Sequence, residues 1–259
     1  MQVNKLRATS GLRWVGEGFR LFKLAPLPLL VTTMTFLLLL VFSSAIPLLG
    51  SIAPAVLAPM LSVGMMAAVR AADEKRPVVP NLLFSGLRER GGQAWKPLLL
   101  LGVIGSASMG AALMASAAIN DQLFQLLSGS VKPDDVEIDD GSLRWAGFAF
   151  LAIYLPAQMA LWYAPVFVAW HGVPVGKALF FSFAAVVRNK AAFAVYLLGW
   201  LGTALATGLA LSLISLLLNG ASLLYFLQVP ISLVILTAIY CSFWATYRDT
   251  ISEDAATHR

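Results

Sequence analysis

The sequence predicts an all-α integral membrane protein with six transmembrane helices, a parallel internal repeat and interfacial amphipathic helices. Composition is the first observation behind this fold class: 59% of the 259 residues are hydrophobic and only 12% are charged. Ordinary globular proteins have about 25% charged residues. With 18 Lys and Arg and 13 Asp and Glu, the chain cannot cover a water-soluble surface of this size. A soluble fold is therefore excluded.

The second observation is that the charged residues leave four long gaps, at 24–69, 97–120, 145–176 and 191–247. One helix needs about 20 apolar residues to cross the hydrocarbon core, so the outer two gaps each hold two spans and the inner two hold one. Turn-forming residues at Ile46 to Gly50 and at Asn219-Gly220 predict the breaks. Continuous apolar runs indicate helices, not barrel strands. The predicted spans are 26–45, 51–70, 97–118, 145–170, 191–217 and 222–246.

The distribution of charge predicts the orientation. Sixteen of the 18 Lys and Arg lie outside segment 119–144, which holds six of the 13 acidic residues. The positive-inside rule therefore places both termini in the cytoplasm. We divide the chain into a cytoplasmic N-terminal segment, 1–25, a six-helix domain, 26–246, with an acidic outside loop at 119–144, and a cytoplasmic tail, 247–259. Short loops favour the bacterial cytoplasmic (inner) membrane. A nucleic-acid partner is not expected, because the basic residues do not gather on a groove with interleaved aromatic residues.

The N-terminal segment is amphipathic. Its apolar residues, including Trp14, project to one side of a helix, and its charged residues project to the other. This pattern predicts a helix in the membrane interface with Trp14 at headgroup depth, although Gly11, Gly16 and Gly18 weaken the helix prediction. The segment is then either a docking site for lipid or a partner, or a topological anchor before span one. We favour the anchor.

A gapless shift of 97 residues gives ten identities in 29 positions, among them Pro77-Val78 on Pro174-Val175 and Phe84-Ser85 on Phe181-Ser182. This match predicts that spans two and three are duplicated, in parallel, as spans four and five. In each copy the link between spans, 80–90 or 175–187, has the pattern of an interfacial helix.

The second helix of each predicted copy has small residues at every fourth position. We interpret them as helix-packing residues and expect spans three and five to meet near the repeat axis; a substrate path is the less favoured alternative. The residues are Gly102, Ser106 and Gly110 in span three and Gly199, Thr203 and Thr207 in span five.

The chain has few residues that could perform chemistry. No Asp, Glu, Lys or Arg falls inside a predicted span, apart from Arg70 at the last position of span two, which argues against an ion-coupled pump. Two His and one Cys exclude a metal cluster of those residues. Acidic residues 134–140 could bind Ca²⁺ loosely, but they lack the EF-hand pattern, so a solvated loop is favoured. No nucleophile or phosphate-binding motif is found. We expect no catalytic residue, cofactor or metal.

Gln158 is the amide that lies well inside a predicted span, close to Trp162 and Tyr163. The ordinary interpretation is a hydrogen bond between helices. The alternative is a polar spot in a cavity lined by Trp162, Tyr163 and Trp200, where a ligand or lipid binds.

The order of these features resembles the uncharacterised six-span inner-membrane proteins of proteobacteria. The shared features are the basic amphipathic start, the pair of spans broken at IPLLG, the Pro-Val…Phe-Ser segment and its second copy. The plan is also similar to the membrane domain fused to some glycerophosphodiester phosphodiesterases. The likeness covers most of residues 10–247 but carries over no catalytic residue. It implies a protein that serves as a membrane platform. A role connected with lipids follows only from the similarity to the membrane domain of the phosphodiesterases.

Two functional hypotheses remain. The first is a non-enzymatic accessory or scaffold protein that binds membrane lipids, another membrane protein or itself. The second is a carrier or flippase-like protein for an apolar or lipid substrate.

Overall fold

A computed structural model describes residues 2–47, 49–50, 52–122, 124–125, 129–131, 141–217 and 221–252. Within these ranges the chain is mainly helical, with a 3-10 helix at Pro80–Phe84 and two short strands, β1 (Gln2–Val3) and β2 (Ile251–Ser252). The helices are α1 (Ser10–Leu24), α2 (Pro26–Ser44), α3 (Ala53–Asp73), α4 (Ser85–Gly92), α5 (Trp95–Ala117), α6 (Ser142–Leu161), α7 (Ala164–His171), α8 (Val175–Arg188), α9 (Lys190–Leu217) and α10 (Ala221–Thr250).

The prediction of six membrane spans is confirmed. In the described part of the chain, six segments are long and apolar enough to cross a bilayer: Pro26–Ser44, Ala53–Asp73, Trp95–Ala117, Ser142–His171, Lys190–Leu217 and Phe226–Thr250. Prolines in the first turns of α2 and α3 suit those positions, because the first helical N–H groups have no partner within the helix. Span four consists of two helices, α6 and α7, which meet at an angle after Leu161. The predicted break at Asn219-Gly220 lies outside the described residues.

Both ends of the described chain lie at the same end of the bundle. The antiparallel pair β1–β2 joins Gln2 to Ser252 and Val3 to Ile251. We call this the basal end, and we call the opposite end, where α2 turns into α3, the far end. The chain continues in α10 to Thr250, so residues 247–252 extend the last span and then pair with the N-terminus.

Helix α1 packs against the spans, so Trp14 lies inside the protein and not on the lipid-facing side of an interfacial helix. Trp14 is fully buried, and α1 packs against α9 and α10. A side chain at Gly11 would collide with the backbone of Ala192 in α9, and one at Gly18 with the backbone of Ala238 in α10. Two of the three glycines that weaken the helix prediction, Gly11 and Gly18, therefore allow α1 to touch two spans through its backbone.

The six spans form an open arc around α3. More than half of the apolar window of α3 is buried, the largest share among the spans, and α3 packs against α2, α5 and α10. Helix α6 extends the arc beyond α5, and α9 extends it beyond α10. In the described part of the chain, α6 and α9 form no packed interface with each other, so the arc stays open between them.

This arrangement does not reproduce the predicted repeat. Helix α3 packs along α5. In the proposed second copy, span four (α6 and α7) corresponds to α3, and α9 corresponds to α5. Span four and α9 do not pack along each other in the described part of the chain. The expected contact between spans three and five is also wrong, because α5 and α9 form no comparable interface among the described residues. The internal repeat is therefore not confirmed. The two link segments of the proposed repeat do lie at the basal end. The first forms the 3-10 helix Pro80–Phe84 and α4, and the second forms α8.

Candidate functional site

The open side of the arc leads into a cleft of about 740 Å³. All six spans contribute to its walls. The lining residues are Phe36 from α2; Ile52, Ala55, Ala58, Pro59 and Ser62 at α3; Leu101, Gly102, Gly105, Ser106, Met109, Gly110 and Leu113 from α5; Tyr154, Gln158, Leu161, Trp162 and Pro165 in span four; Tyr196 from α9; and Leu236, Ile239, Tyr240 and Phe243 from α10.

The break in span four shapes the floor of this cleft. Proline at 165 cannot donate a backbone hydrogen bond, and the helix is interrupted at Trp162 and Tyr163. The Ser182 hydroxyl of α8 accepts a hydrogen bond from the Tyr163 N–H at 2.9 Å and donates one to the Met159 carbonyl at 2.9 Å. One hydroxyl thus satisfies backbone groups on both sides of the break, which fixes the direction in which span four bends.

An aromatic layer lies beneath the cleft. Trp162 meets Phe193, Tyr196 and Phe243 edge to face, with ring centroids 5.5, 6.3 and 5.3 Å apart. Trp14 of α1 lies on the other side of Phe193 and Tyr196, at 5.4 and 5.9 Å. Such contacts favour a rigid arrangement because edge-to-face aromatic pairs have preferred geometry. The layer closes the cleft toward the basal end.

The structure brings together two of the four residues suggested as ligand contacts. Gln158 and Trp162 both line the cleft. Tyr163 is fully buried, and its hydroxyl points to Thr250, 3.4 Å away. Trp200 lies outside the lining and donates its indole N–H to the Ser242 hydroxyl at 3.2 Å. Tyr196, which shares that Ser242 hydroxyl at 2.7 Å, takes the place expected for Trp200.

The two stripes of small residues have different surroundings. Gly102, Ser106 and Gly110 all line the cleft, and Gly102 also lies directly against the Val56 backbone of α3. Gly199 faces α1, where an added Cβ would lie 3.0 Å from Val15.

The hydroxyls of these stripes bond within their own helices. Ser106 donates to the Gly102 carbonyl at 2.9 Å, Thr203 to Gly199 at 2.9 Å and Thr207 to Thr203 at 2.8 Å. Thr207 also borders a second pocket of about 430 Å³ between α9 and α10.

Four hydrogen-bonding side chains face the cleft without a protein partner in the described part of the chain: Tyr154, Gln158, Trp162 and Tyr240. The Trp162 indole nitrogen is itself buried. Leaving a buried polar group without a partner costs about 1–3 kcal/mol, and this cost applies to the Trp162 nitrogen. The polar groups of Tyr154, Gln158 and Tyr240 are not buried in this way, so another molecule in the cleft can bond to them.

Sequence reasoning missed Tyr154 and Tyr240. Tyr154, Gln158 and Trp162 follow each other at intervals of four, which places them on one helix face. That spacing was the available signal for Tyr154. No comparable signal distinguishes Tyr240.

Charge is concentrated below the aromatic layer, at the basal end. Asp73 at the end of α3 accepts hydrogen bonds from Arg248 at 2.8 Å and from the Trp244 indole at 3.0 Å. Glu17 of α1 is paired with Arg20 at 2.8 Å and Arg248 at 3.0 Å. The hydrogen bond from Arg20 holds the pKa of Glu17 below its ordinary value. This network ties α1 to α3 and α10, and its acidic groups are already occupied by protein donors.

The described lining of the cleft contains no Asp, Glu, Lys, Arg or His. Among the described residues no group of three or more His, Cys, Asp or Glu is arranged to hold a metal ion. Acidic residues 134–140, considered above for Ca²⁺, lie outside the described part of the chain. The arrangement offers apolar contact and neutral hydrogen bonds.

Comparison with known proteins places the chain in a family. It is 36% identical over 254 residues to the "Probable inner membrane protein BTH_II0599" of Burkholderia thailandensis, and the match covers 96% of this chain and 93% of that protein. The chain belongs to this inner-membrane protein family. It is therefore a multi-pass protein of the inner membrane, of uncharacterised function.

The relative's name carries no catalytic role. No protein-family profile matches the chain, so the similarity in plan to the membrane domain of glycerophosphodiester phosphodiesterases gains no support. No solved structure matches it either.

Proposed function

We propose that the protein is a non-enzymatic membrane protein that binds a lipid in the cleft between its spans. The observation that carries this proposal is the cleft itself, about 740 Å³ in volume and lined from all six spans. Ligand pockets commonly enclose roughly 300–1,000 Å³ and have mainly apolar walls with a few polar groups. Lipid binding is also the step that the accessory and carrier hypotheses share.

The opening of the cleft supports a lipid occupant. Helices α6 and α9 do not pack together in the described part of the chain, so the cleft opens sideways, at the depth of the hydrocarbon core. Water is scarce at that depth, and lipid tails are as apolar as Leu side chains. A sideways opening lined by residues such as Leu113 and Ile239 therefore meets hydrocarbon first.

Blocking the cleft tests this proposal. Gly110 lines the cleft, and an added Cβ meets nothing within 4 Å, so Gly110→Phe should fill the space without disturbing helix packing. Gly202→Phe is the matched control, because Gly202 of α9 is equally open but lies outside the lining. We expect native mass spectrometry in mild detergent to find retained lipid in the wild type and in Gly202→Phe, and less in Gly110→Phe. Equal retention in all three proteins, or none in the wild type, would overturn the proposal.

A docking role toward another membrane protein is the second candidate, and the distal half of α9 favours it. The buried residues of α9 lie between Ala192 and Trp200, whereas Leu205, Leu209 and Leu213 beyond them are 59–66% exposed. That length of helix is free to contact another membrane protein or a second copy. Affinity purification in mild detergent tests this, and a monomer without a co-purifying membrane protein would contradict it.

We also propose that the basal end faces the cytoplasm. Support comes from its basic residues, many of which form no salt bridge with the described part of the chain. Unpaired cations beside a membrane are attracted to the anionic cytoplasmic leaflet. These residues are Lys5, Arg7, Lys23, Lys75, Arg88, Arg90, Lys96, Lys177, Arg188 and Lys190.

A further inference from the structure

We propose that the lipid bound in the cleft is uncharged and has carbonyl oxygens in its polar part, which bond to Trp162 and Gln158 at the floor. This inference rests on the proposed lipid-binding function and narrows the class of lipid. It follows from which polar groups line the cleft, from the absence of charge among them and from the depth at which they lie.

The unpaired groups at the floor are suited to a hydrogen-bond acceptor. An indole N–H can only donate, and a glutamine amide offers two donor hydrogens. Trp162 and Gln158 are four residues apart, so they lie on adjacent turns of one helix face. Neither side chain has a protein partner in the described part of the chain. A carbonyl oxygen, which only accepts, complements these donors.

The hydroxyls of Tyr154 and Tyr240 extend this set along the cleft wall. Each can donate or accept one hydrogen bond, and neither has a protein partner among the described residues. By contrast, the Ser62 and Ser106 hydroxyls donate to carbonyls of their own helices at 2.8 and 2.9 Å. The neutral groups that border the cleft are therefore the Gln158 amide and the two phenols, which are accessible, and the Trp162 indole, whose nitrogen is buried without a partner.

A charged headgroup does not fit this floor. Gln158 lies 16 residues after Ser142 and 13 residues before His171, the two ends of span four, so it lies near the middle of the span, roughly 20 Å along the helix from either end. The described lining supplies no cation to neutralise a phosphate. The arginines of the basal network are bonded to Glu17, Asp73 and Asp249, below the aromatic layer. Burying an unpaired charge is far more costly than burying a neutral group that keeps its hydrogen bonds.

Two kinds of membrane lipid share the required chemistry. A quinone has two ring carbonyls on an isoprenoid tail, and a diacylglycerol has two ester carbonyls on acyl tails. Both are uncharged, and both have tails that can follow the apolar wall formed by Met109 and Leu113 toward the far end. Separate arms of the experiment distinguish these sources.

The test loads delipidated protein in detergent with one probe at a time, namely dioleoylglycerol, decylubiquinone or dioleoylphosphatidylglycerol, and measures bound lipid by native mass spectrometry. We expect at least one of the two neutral probes to bind about tenfold more tightly than phosphatidylglycerol. Gln158→Leu and Trp162→Phe should each weaken binding of that probe about 2- to 10-fold, the effect of one lost hydrogen bond.

Matched controls separate hydrogen bonding from general damage. Gln93→Leu makes the same change at an exposed glutamine of the basal end, outside the cleft, and Trp145→Phe makes the same change at an exposed tryptophan. Both controls should bind the neutral probe as the wild type does. Equal binding of phosphatidylglycerol, or unweakened binding by Gln158→Leu and Trp162→Phe, would overturn this inference and leave lipid binding intact. Absence of binding by all three probes, together with no lipid retained on purification, would overturn the proposed function itself.

Discussion

The contact between α1 and α10 gives the sharpest test of the fold. A Cβ at Gly18 would lie 2.5 Å from the Ala238 carbonyl oxygen and 2.8 Å from the Ser242 Cβ. The Ala238 atom belongs to backbone and cannot rotate away, so Gly18→Ala forces α1 away from α10. Overpacking of this kind costs about 1–3 kcal/mol.

Gly16 provides the matched control on the same helix, because an added Cβ there meets nothing within 4 Å. Gly→Ala in an unhindered helix is stabilising by about 0.5–1 kcal/mol, so Gly16→Ala should unfold at the same temperature as the wild type or slightly higher. Since 1 kcal/mol changes the Tm of a chain of 150–250 residues by about 2–4 °C, we expect the Tm of Gly18→Ala to be about 2–12 °C lower than that of the wild type, and therefore below that of Gly16→Ala.

Thermal unfolding in mild detergent measures both variants, with tryptophan fluorescence as the signal because Trp14 of α1 is fully buried. The reasoning fails if Gly18→Ala and Gly16→Ala unfold at the same temperature. In that case α1 would rest on the membrane surface, where neither glycine has a neighbour to collide with.

Three further predictions concern the orientation of the chain and the basal network. A reporter that is active only in the periplasm should be active when fused near Ser130 and silent near Gly92; the reverse would contradict the proposed orientation. Asp73→Asn removes the carboxylate shared by Arg20, Arg248 and Trp244. The free energy of unfolding should fall by about 1–3 kcal/mol, and the Tm should fall with it. An unchanged Tm would show that the network does not hold α1. The pKa of Glu17 is depressed from 4.5, so its ion pairs stabilise the fold above that pH and lose this effect as the pH falls through the folded-state pKa. The Tm should therefore fall between pH 7 and pH 3 in the wild type, and by less in Glu17→Gln, where Asp73, whose pKa is also depressed, still loses its charge; an equal fall in both proteins would contradict the assignment to Glu17.

The membrane spans could be predicted from sequence because their signal is local. Charge-free length and turn residues decide whether a segment crosses a bilayer, whatever its neighbours are. All six predicted spans overlap the observed ones, including the first, predicted at 26–45 and found at Pro26–Ser44. The break inside span four was harder, since Pro165 indicates a kink but does not identify Ser182 as its partner.

The positions of α1 and of the cleft could not be predicted because they depend on contacts distant in sequence. Within the local sequence, Gly11 and Gly18 are only weak helix formers. Their role in close helix packing becomes visible only when α9 and α10 lie against them. Gly102 and Gly110 likewise read as packing residues, although their stripe lines a cleft. A small residue permits close approach, but the sequence does not say whether a helix or a ligand approaches.

The cleft follows from an uneven distribution of packing residues along the spans. In the described part of α9 every buried residue lies between Ala192 and Trp200, near the basal end. Among the side chains of α10 that the structure describes, the buried ones lie between Thr237 and Thr250, also near that end, and α1 fills the space against both helices. Beyond this region the spans present aliphatic side chains on several faces.

A water-soluble protein could not keep such helices apart, because exposed apolar surface would draw them together. In a bilayer, lipid tails solvate the same surface, so no hydrophobic force closes the gap. The four unpaired polar groups in the cleft are different, because hydrocarbon cannot satisfy their hydrogen bonds. The open apolar walls are therefore a natural state for this protein in a membrane. The polar floor, with Gln158 and Trp162, is the part that calls for a specific ligand.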